Sequence, residues 1–149
     1  MRNLLLLAHF ISLSLGALIY LFFRPGSIRF FKWIAFFGWD FQSFGWRKLA
    51  LEQSAKLPQW TIYSLPDGLW SFSYVCLLLC LWKHEIGTAA LFWILLAPFL
   101  AILSEFGQLF HIVPGTFDLV DILLYLTGSI LPFLIFRNNS NRNIYENHF

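Results

Sequence analysis

The chain has 149 residues, of which 58% are hydrophobic and 12% are charged, whereas an average soluble domain has about 25% charged residues. Together with a mean hydropathy of +0.66, this composition predicts a membrane protein. One crossing needs roughly 20 residues, so four or five crossings are about the most that this length allows. The net charge of +2 comes from scattered basic residues, which argues against a nucleic-acid partner.

The first predicted span is residues 4–23, an uncharged apolar run between Arg2 and Arg24. A run of this length can cross a bilayer. A cleaved signal peptide is the alternative interpretation, but the run is longer than a typical signal core and no small-residue cleavage site precedes Pro25. We therefore expect an uncleaved membrane anchor.

The segment 24–66 has a different composition. It mixes basic residues with tryptophans, and no window within it is apolar enough to span a membrane. Because tryptophan, lysine and arginine all favour the headgroup region, we expect this segment to lie in the membrane interface, partly as an amphipathic helix. An ordinary aqueous loop is the alternative, and it fits the aromatic content poorly.

Three further apolar runs, 68–82, 88–110 and 121–136, predict spans two to four. A polar tail follows at 137–149. The predicted fold class is all-α: a polytopic membrane helical bundle with about four transmembrane helices and an interfacial amphipathic segment. Residues 1–136 form its single domain.

Two cysteines, Cys76 and Cys80, lie within the second apolar run. Cysteine in such surroundings usually packs as a small hydrophobe, and too few other ligands are nearby in the sequence for zinc. We therefore expect no zinc site at these cysteines and assign no metal or cofactor, although a divalent, oxygen-ligated ion would suit carboxylates chemically.

Polar residues gather at the ends of three predicted spans. With four crossings, the start of span two, the end of span three and the start of span four lie on the same side of the membrane. Helical periodicity also places the polar residues of each span on one face. We therefore expect a single polar pocket at the membrane surface, formed by Asp67, Glu105, Gln108, His111, Asp118, Asp121 and Tyr125.

Charged groups near hydrocarbon are functional candidates, because each costs from about 2.5 kcal/mol upward at the bilayer centre. One of Glu105, Asp118 and Asp121 is expected to share protons with its neighbours and act as an acid. Asp118 is equally suited to capping the following helix, whereas Glu105 lies near a helix C-terminus and needs a compensating partner. A cation or a basic side chain could provide it. Arg47 and Lys48 lie on the same side and could pair with the acids or hold a lipid phosphate.

The stretch 104–128 resembles the VanZ-like family of small bacterial membrane proteins. The family pattern is E-x-x-Q at the end of one span, then a turn, then a span that opens with aspartate and continues to a glycine. The matching residues here are Glu105, Gln108, Asp121 and Gly128, with Tyr125 where asparagine is common.

The resemblance covers roughly residues 64–136, about half of the chain. Asp67 resembles the aspartate of an upstream D-K-x-x-H element, but Gly68 and Ser71 replace its basic residues, and Thr116 lies near a turn position where arginine is common. Any family activity that depends on those basic groups would need other residues, for which Arg47 or Lys48 are the candidates.

The resemblance implies an integral protein of the bacterial cytoplasmic membrane that acts at the cell envelope, since the family is named for resistance to the glycopeptide teicoplanin. The leading hypothesis is recognition of a membrane lipid or another amphiphilic envelope component, with a lipid-linked or glycopeptide ligand as the partner. In its enzymatic version the protein also modifies this component, with one carboxylate as general acid or base and Gln108 or Tyr125 orienting the head group.

Three alternatives remain. The chain could bind lipid or glycopeptide without catalysis, or be a structural membrane protein. An ion or proton conduit ranks last, because it needs polar groups along the whole bilayer depth and the spans are nearly bare beyond the pocket.

Overall fold

The regular structure of the described chain is entirely helical. The structure is a computed structural model that describes residues 2–26, 29–39, 43–82 and 86–136; the predicted tail at 137–149 lies outside them. The described residues form seven helices and no strand, which confirms the all-α class. The helices are α1 (Arg2–Phe23), α2 (Arg29–Phe36), α3 (Gly45–Ser54), α4 (Gln59–Tyr63), α5 (Leu65–Leu81), α6 (Thr88–Leu109) and α7 (Leu119–Ile135).

Two helices, α1 and α6, are long and apolar enough to cross a membrane. Each has 22 residues, and their most apolar stretches have mean hydropathies of 2.2 and 2.0. Only 22% of the residues in each of these stretches are buried. A core helix of a soluble protein buries its apolar face, so α1 and α6 do not fit that role. Helices α5 and α7 are also apolar, but each has 17 residues.

Helix α5 packs antiparallel against α1. Near the start of α1, His9 Nδ1 lies 2.7 Å from Ser73 Oγ and 3.1 Å from the Ser73 carbonyl oxygen. Further along, Gly16 faces Trp70: a Cβ added at Gly16 would lie 2.6 Å from the indole nitrogen. Residue numbers on α5 therefore fall as those on α1 rise, which is the order of an antiparallel pair.

Helix α5 packs parallel to α7 at very short range. A Cβ added at Gly128 would lie 2.3 Å from the carbonyl oxygen of Gly68 and 3.1 Å from the amide nitrogen of Phe72. Beside this contact, the hydroxyls of Ser71 and Ser129 are 2.9 Å apart. We call the faces of α1, α5 and α7 that meet at these residues and at the His9–Ser73 pair the central seam.

Helix α6 reverses direction again. Tyr74 of α5 donates a hydrogen bond to the carbonyl of Trp93, near the start of α6, whereas Glu105, near its end, contacts the residue that precedes α7. The direction of the chain therefore alternates through α1, α5, α6 and α7. As a result, the end of α1, the start of α5, the end of α6 and the start of α7 lie at one end of the bundle.

The short helices α2 to α4 lie at this same end. Arg47 of α3 is 1% exposed and donates hydrogen bonds to the carbonyls of Leu21 (3.2 Å) and Arg24 (2.6 Å) at the end of α1. Its guanidinium carbon lies 4.1 Å from the ring centroid of Phe31 on α2. Arg47 thus ties α2 and α3 to the final turn of α1.

Candidate functional site

A cavity of about 550 Å³ lies where the four helix ends meet. We call it the acidic cavity. Its lining residues are Arg24, Gln59, Trp60, Tyr63, Ser64, Asp67, Ser104, Glu105, Gln108, Gly115, Thr116, Asp118, Asp121 and Tyr125. The structure therefore brings together six of the nine residues singled out from the sequence, namely Asp67, Glu105, Gln108, Asp118, Asp121 and Tyr125.

Glu105 and Gln108 are largely engaged by the protein itself. Glu105 is 4% exposed; one carboxylate oxygen accepts from the Gln108 amide at 3.0 Å and the other accepts from the backbone N–H of Asp118 at 3.3 Å. The Gln108 side chain also lies against Gly115, whose φ is +149° and where a Cβ would be 2.4 Å from Gln108 Oε1. The E-x-x-Q pair therefore fixes the turn that joins α6 to α7.

Asp118 caps α7 and also lines the cavity. Its Oδ1 accepts a hydrogen bond from the backbone N–H of Val120 at 2.8 Å, which is the ordinary geometry of an N-cap. The two roles weighed for this residue are thus compatible. Asp121 differs, because its Oδ1 is buried and has no hydrogen-bond partner among the described residues. This oxygen can therefore accept a hydrogen bond from a bound group.

Asp67 lies in the first turn of α5, just before the apolar run 68–82. Burial raises the pKa of its carboxyl group from the ordinary 3.8 to about 6. The nearby charge of Arg24 lowers this pKa, and the negative charges of Asp121 and Glu105 raise it. Asp67 therefore exchanges its proton closer to neutral pH than an exposed aspartate does.

Arg24 is the basic residue of the cavity, although the sequence marked it only as the boundary of span one. Its Nη2 donates to the carbonyl of Tyr63 at 2.8 Å. The guanidinium carbon lies 4.7 Å from the Tyr63 ring centroid and 5.3 Å from that of Tyr20, within the range of cation–π attraction. The available signal was its position: Arg24 ends the first span on the same side as the acidic helix ends.

Ser64 is a second cavity residue that was not predicted from the sequence. It stands between α4 and α5, is 0% exposed, and lines the acidic cavity. Its neighbours Trp60 and Tyr63, both on α4, complete this wall. No sequence signal separated Ser64 from the other serines, because its burial depends on how α4 packs.

The acidic cavity adjoins a smaller, mostly apolar groove of about 240 Å³ between α5 and α6. Asp67 and Tyr125 line both spaces. Beyond them the groove follows Trp70 and Tyr74 on one side and Pro98 on the other. A charged, polar compartment thus borders an apolar one.

Three predicted site residues lie away from the cavity. Arg47 is occupied by backbone carbonyls, and Lys48 is exposed on α3. His111 is exposed with a φ of 58°, because α6 ends at Leu109 and the chain leaves the helical path before His111. The polar face predicted for span three therefore stops at Gln108.

Within the described residues, no group of three or more His, Cys, Asp or Glu side chains is arranged to hold a metal ion. Cys76 and Cys80 are buried free thiols. The cavity has the donors and acceptors for polar and charged organic groups: one guanidinium, hydroxyls, two side-chain amides and four carboxylates. No protein-family model, curated protein or solved structure matches this chain.

Proposed function

We propose that this chain is a VanZ-like integral membrane protein of the bacterial cytoplasmic membrane that binds the polar head of an amphiphilic envelope component in the acidic cavity. The observation on which this rests is that Asp67 and Tyr125 line both the acidic cavity and the apolar groove. An amphiphile needs both environments next to each other. The cavity volume is within the usual range of small-molecule sites.

The exposed apolar surface supports the membrane location. Helices α1 and α6 leave most of their apolar residues outside the protein core, and soluble monomers rarely present apolar patches of that extent. We propose that α5 and α7 supply the other two spans, with Asp67 at the membrane surface just before the apolar run 68–82. Their 17 residues are at the short end of the range for a crossing helix, and the alternating directions of the four helices suit four consecutive crossings.

The short helices support an interfacial position for the segment before α5. Trp33, Phe36, Phe37 and Trp39 are exposed around α2, as expected for aromatic side chains at the headgroup level. Arg47 fastens this segment to the end of α1. The segment thus borders the cavity end of the bundle, where a lipid head would enter.

The family resemblance is consistent with this site. Glu105 and Gln108 of the E-x-x-Q pair and Asp121 of the following span all line the acidic cavity. The chain lacks the basic residues of the D-K-x-x-H element, but Arg24 supplies a guanidinium to the same cavity from α1. This compensation supports a VanZ-like role in which the cavity still contains a basic group, supplied by Arg24 and not by the D-K-x-x-H element.

Catalysis is a second candidate function, favoured by Asp67. A carboxyl group with a pKa of about 6 is suited to general acid or base chemistry near neutral pH. In this version Asp67 would transfer a proton during modification of the bound head, and Asp121 would position it.

The test compares Asp121→Asn with Glu52→Gln, a matched loss of charge at an exposed site on α3, in bacterial cells that express each protein at equal level. We expect wild type and Glu52→Gln to confer glycopeptide resistance and Asp121→Asn to lose it. If envelope lipid composition also changes only with active protein, the enzymatic version is supported; unchanged lipids support binding alone. Full resistance with Asp121→Asn would overturn the proposal.

A further inference from the structure

Three cavity-lining residues each have a buried polar atom without a hydrogen-bond partner among the described residues: Arg24 Nε, Ser64 Oγ and Asp121 Oδ1. Buried polar groups in proteins are nearly always paired, so such atoms ask for a specific explanation. Arg24 Nε is a donor, Asp121 Oδ1 accepts when ionised, and the serine hydroxyl does either. A bound group with both acceptors and donors would satisfy all of them.

Ser64 is the most informative of the three. It occupies the N-cap position of α5, where a serine side chain ordinarily accepts a hydrogen bond from the helix backbone. Here the backbone is helical (φ −101°, ψ −38°) and the side chain makes no capping bond. The hydroxyl of a fully buried residue is therefore left over at the cavity wall.

The guanidinium of Arg24 is held in place while its buried Nε donor has no partner among the described residues. Its Nη2 is bonded to the Tyr63 carbonyl, and the rings of Tyr20 and Tyr63 lie within 5.3 Å of its central carbon. These contacts fix its orientation before any ligand arrives. A pre-oriented guanidinium next to a hydroxyl is well suited to a phosphate oxygen.

The charge balance restricts the ligand further. Among the described lining residues, one guanidinium faces the carboxylates of Asp67, Glu105, Asp118 and Asp121. A simple anion would meet an excess of negative charge, whereas a simple cation would leave the donors of Arg24 and Ser64 unpaired. A group that carries both a positive and a negative charge can pair with the carboxylates and with the donors of Arg24 and Ser64.

We propose that the acidic cavity is specific for a zwitterionic phosphate–ammonium head, with the phosphate against Arg24 and Ser64 and the ammonium against Asp121. This inference rests on the proposed function and names its ligand class: an aminophospholipid whose acyl chain follows the groove past Trp70. Glu105 and Asp118 are less available to the ammonium, because each already accepts hydrogen bonds from the protein.

The experiment titrates purified full-length protein in detergent micelles with water-soluble dihexanoyl lipids and measures binding by calorimetry. We expect dihexanoyl phosphatidylethanolamine to bind about tenfold more tightly than dihexanoyl phosphatidylglycerol, which has the same phosphate and no ammonium. Glycerophosphoethanolamine, the same head without chains, should bind more weakly than the lipid. Equal affinity for this soluble head would overturn the assignment to a lipid.

The variants test the ammonium contact and the phosphate contact separately. Asp121→Asn should remove the preference for the ethanolamine head, whereas Ser64→Ala should weaken both lipids by about fivefold and keep the preference. Glu52→Gln and Ser14→Ala, at exposed positions, are the matched controls and should bind like wild type. Equal affinity of the wild type for both lipids would overturn the assignment of an ammonium group to Asp121 while leaving the proposed function intact. Failure to bind either lipid would instead contradict the proposed function.

Discussion

The central seam and the acidic cavity both contain polar groups on apolar helices, but they differ in how those groups are paired. In the seam, His9 pairs with Ser73 and Ser71 with Ser129, each across two helices. In the cavity, buried atoms of Arg24, Ser64 and Asp121 have no partner among the described residues, and the one other such atom, Trp70 Nε1, lies beside Gly16 at the contact of α1 with α5. Hydrogen-bonded polar groups hold helices together, whereas unpaired polar groups remain able to bind a ligand.

Backbone approach differs in the same way. In the seam, Gly68 and Gly128 let α5 and α7 approach until no Cβ fits between them. At the cavity, the ends of the same two helices present Asp67 and Asp121 around an open volume. A chain of 149 residues thus combines a tight contact and an open site within a few turns of the same pair of helices.

The largest effect should come from breaking the seam with Gly128→Ala. The new Cβ would lie 2.3 Å from the carbonyl oxygen of Gly68, and a backbone atom cannot move aside without separating the helices. We expect the free energy of unfolding to fall by about 2–3 kcal/mol, measured by denaturant titration in detergent micelles. Gly45→Ala is the control, because a Cβ there meets nothing within 4 Å. Equal stability of the two variants would contradict the close packing of α5 on α7.

A smaller loss is expected from Arg47→Ala. Arg47 is the paired counterpart of Arg24: its guanidinium is buried and bonded to the carbonyls of Leu21 and Arg24. Its removal should lower the free energy of unfolding by about 2 kcal/mol, since charged hydrogen bonds contribute roughly 1.5–3 kcal/mol each and the segment can partly relax. The same denaturant titration measures it.

The exposed neighbour Lys48 provides the matched control for Arg47. Lys48→Ala should change stability by less than about 0.5 kcal/mol. Arg47→Ala should also leave the proposed lipid preference of the cavity unchanged, because Arg47 does not line the cavity. If Arg47→Ala instead loses the lipid preference while its stability is normal, Arg47 belongs to the binding site, as the sequence predicted.

Much of the placement of the acidic residues could be predicted from the sequence. Apolar runs separated by polar segments indicate how often the chain reverses, and the number of reversals fixes which helix ends are neighbours. The order of the runs therefore predicts that Asp67, Glu105 and Asp121 lie at one end of the bundle, where all three line the cavity. Their position along the bundle axis follows from the order of the apolar runs, which can be read directly from the sequence.

Which basic and hydroxyl groups meet those acids could not be predicted in the same way. Arg24 faces the cavity because α1 is rotated by contacts with residues far along the chain, such as His9 with Ser73 and Gly16 with Trp70. Helix periodicity gives the spacing of side chains on one helix but not the rotation of that helix against another. For this reason Arg47 was the predicted partner and Arg24 is the residue present.

The last predicted effect has the opposite sign to the two above and concerns Asp67→Asn at the cavity. The pKa of Asp67 is about 6 in the folded protein and near the ordinary 3.8 when unfolded, so between about pH 4 and 6 the folded state binds more protons. Stability then falls as pH rises through this window, and the cost is complete above it. Asparagine cannot ionise, so the variant should melt higher than wild type at pH 7.5, with little difference at pH 4. Thermal melting of both proteins in one detergent tests this, with Glu52→Gln expected to show no such trend. A constant or shrinking difference would mean that Asp67 already has a partner and belongs with the paired groups of the seam.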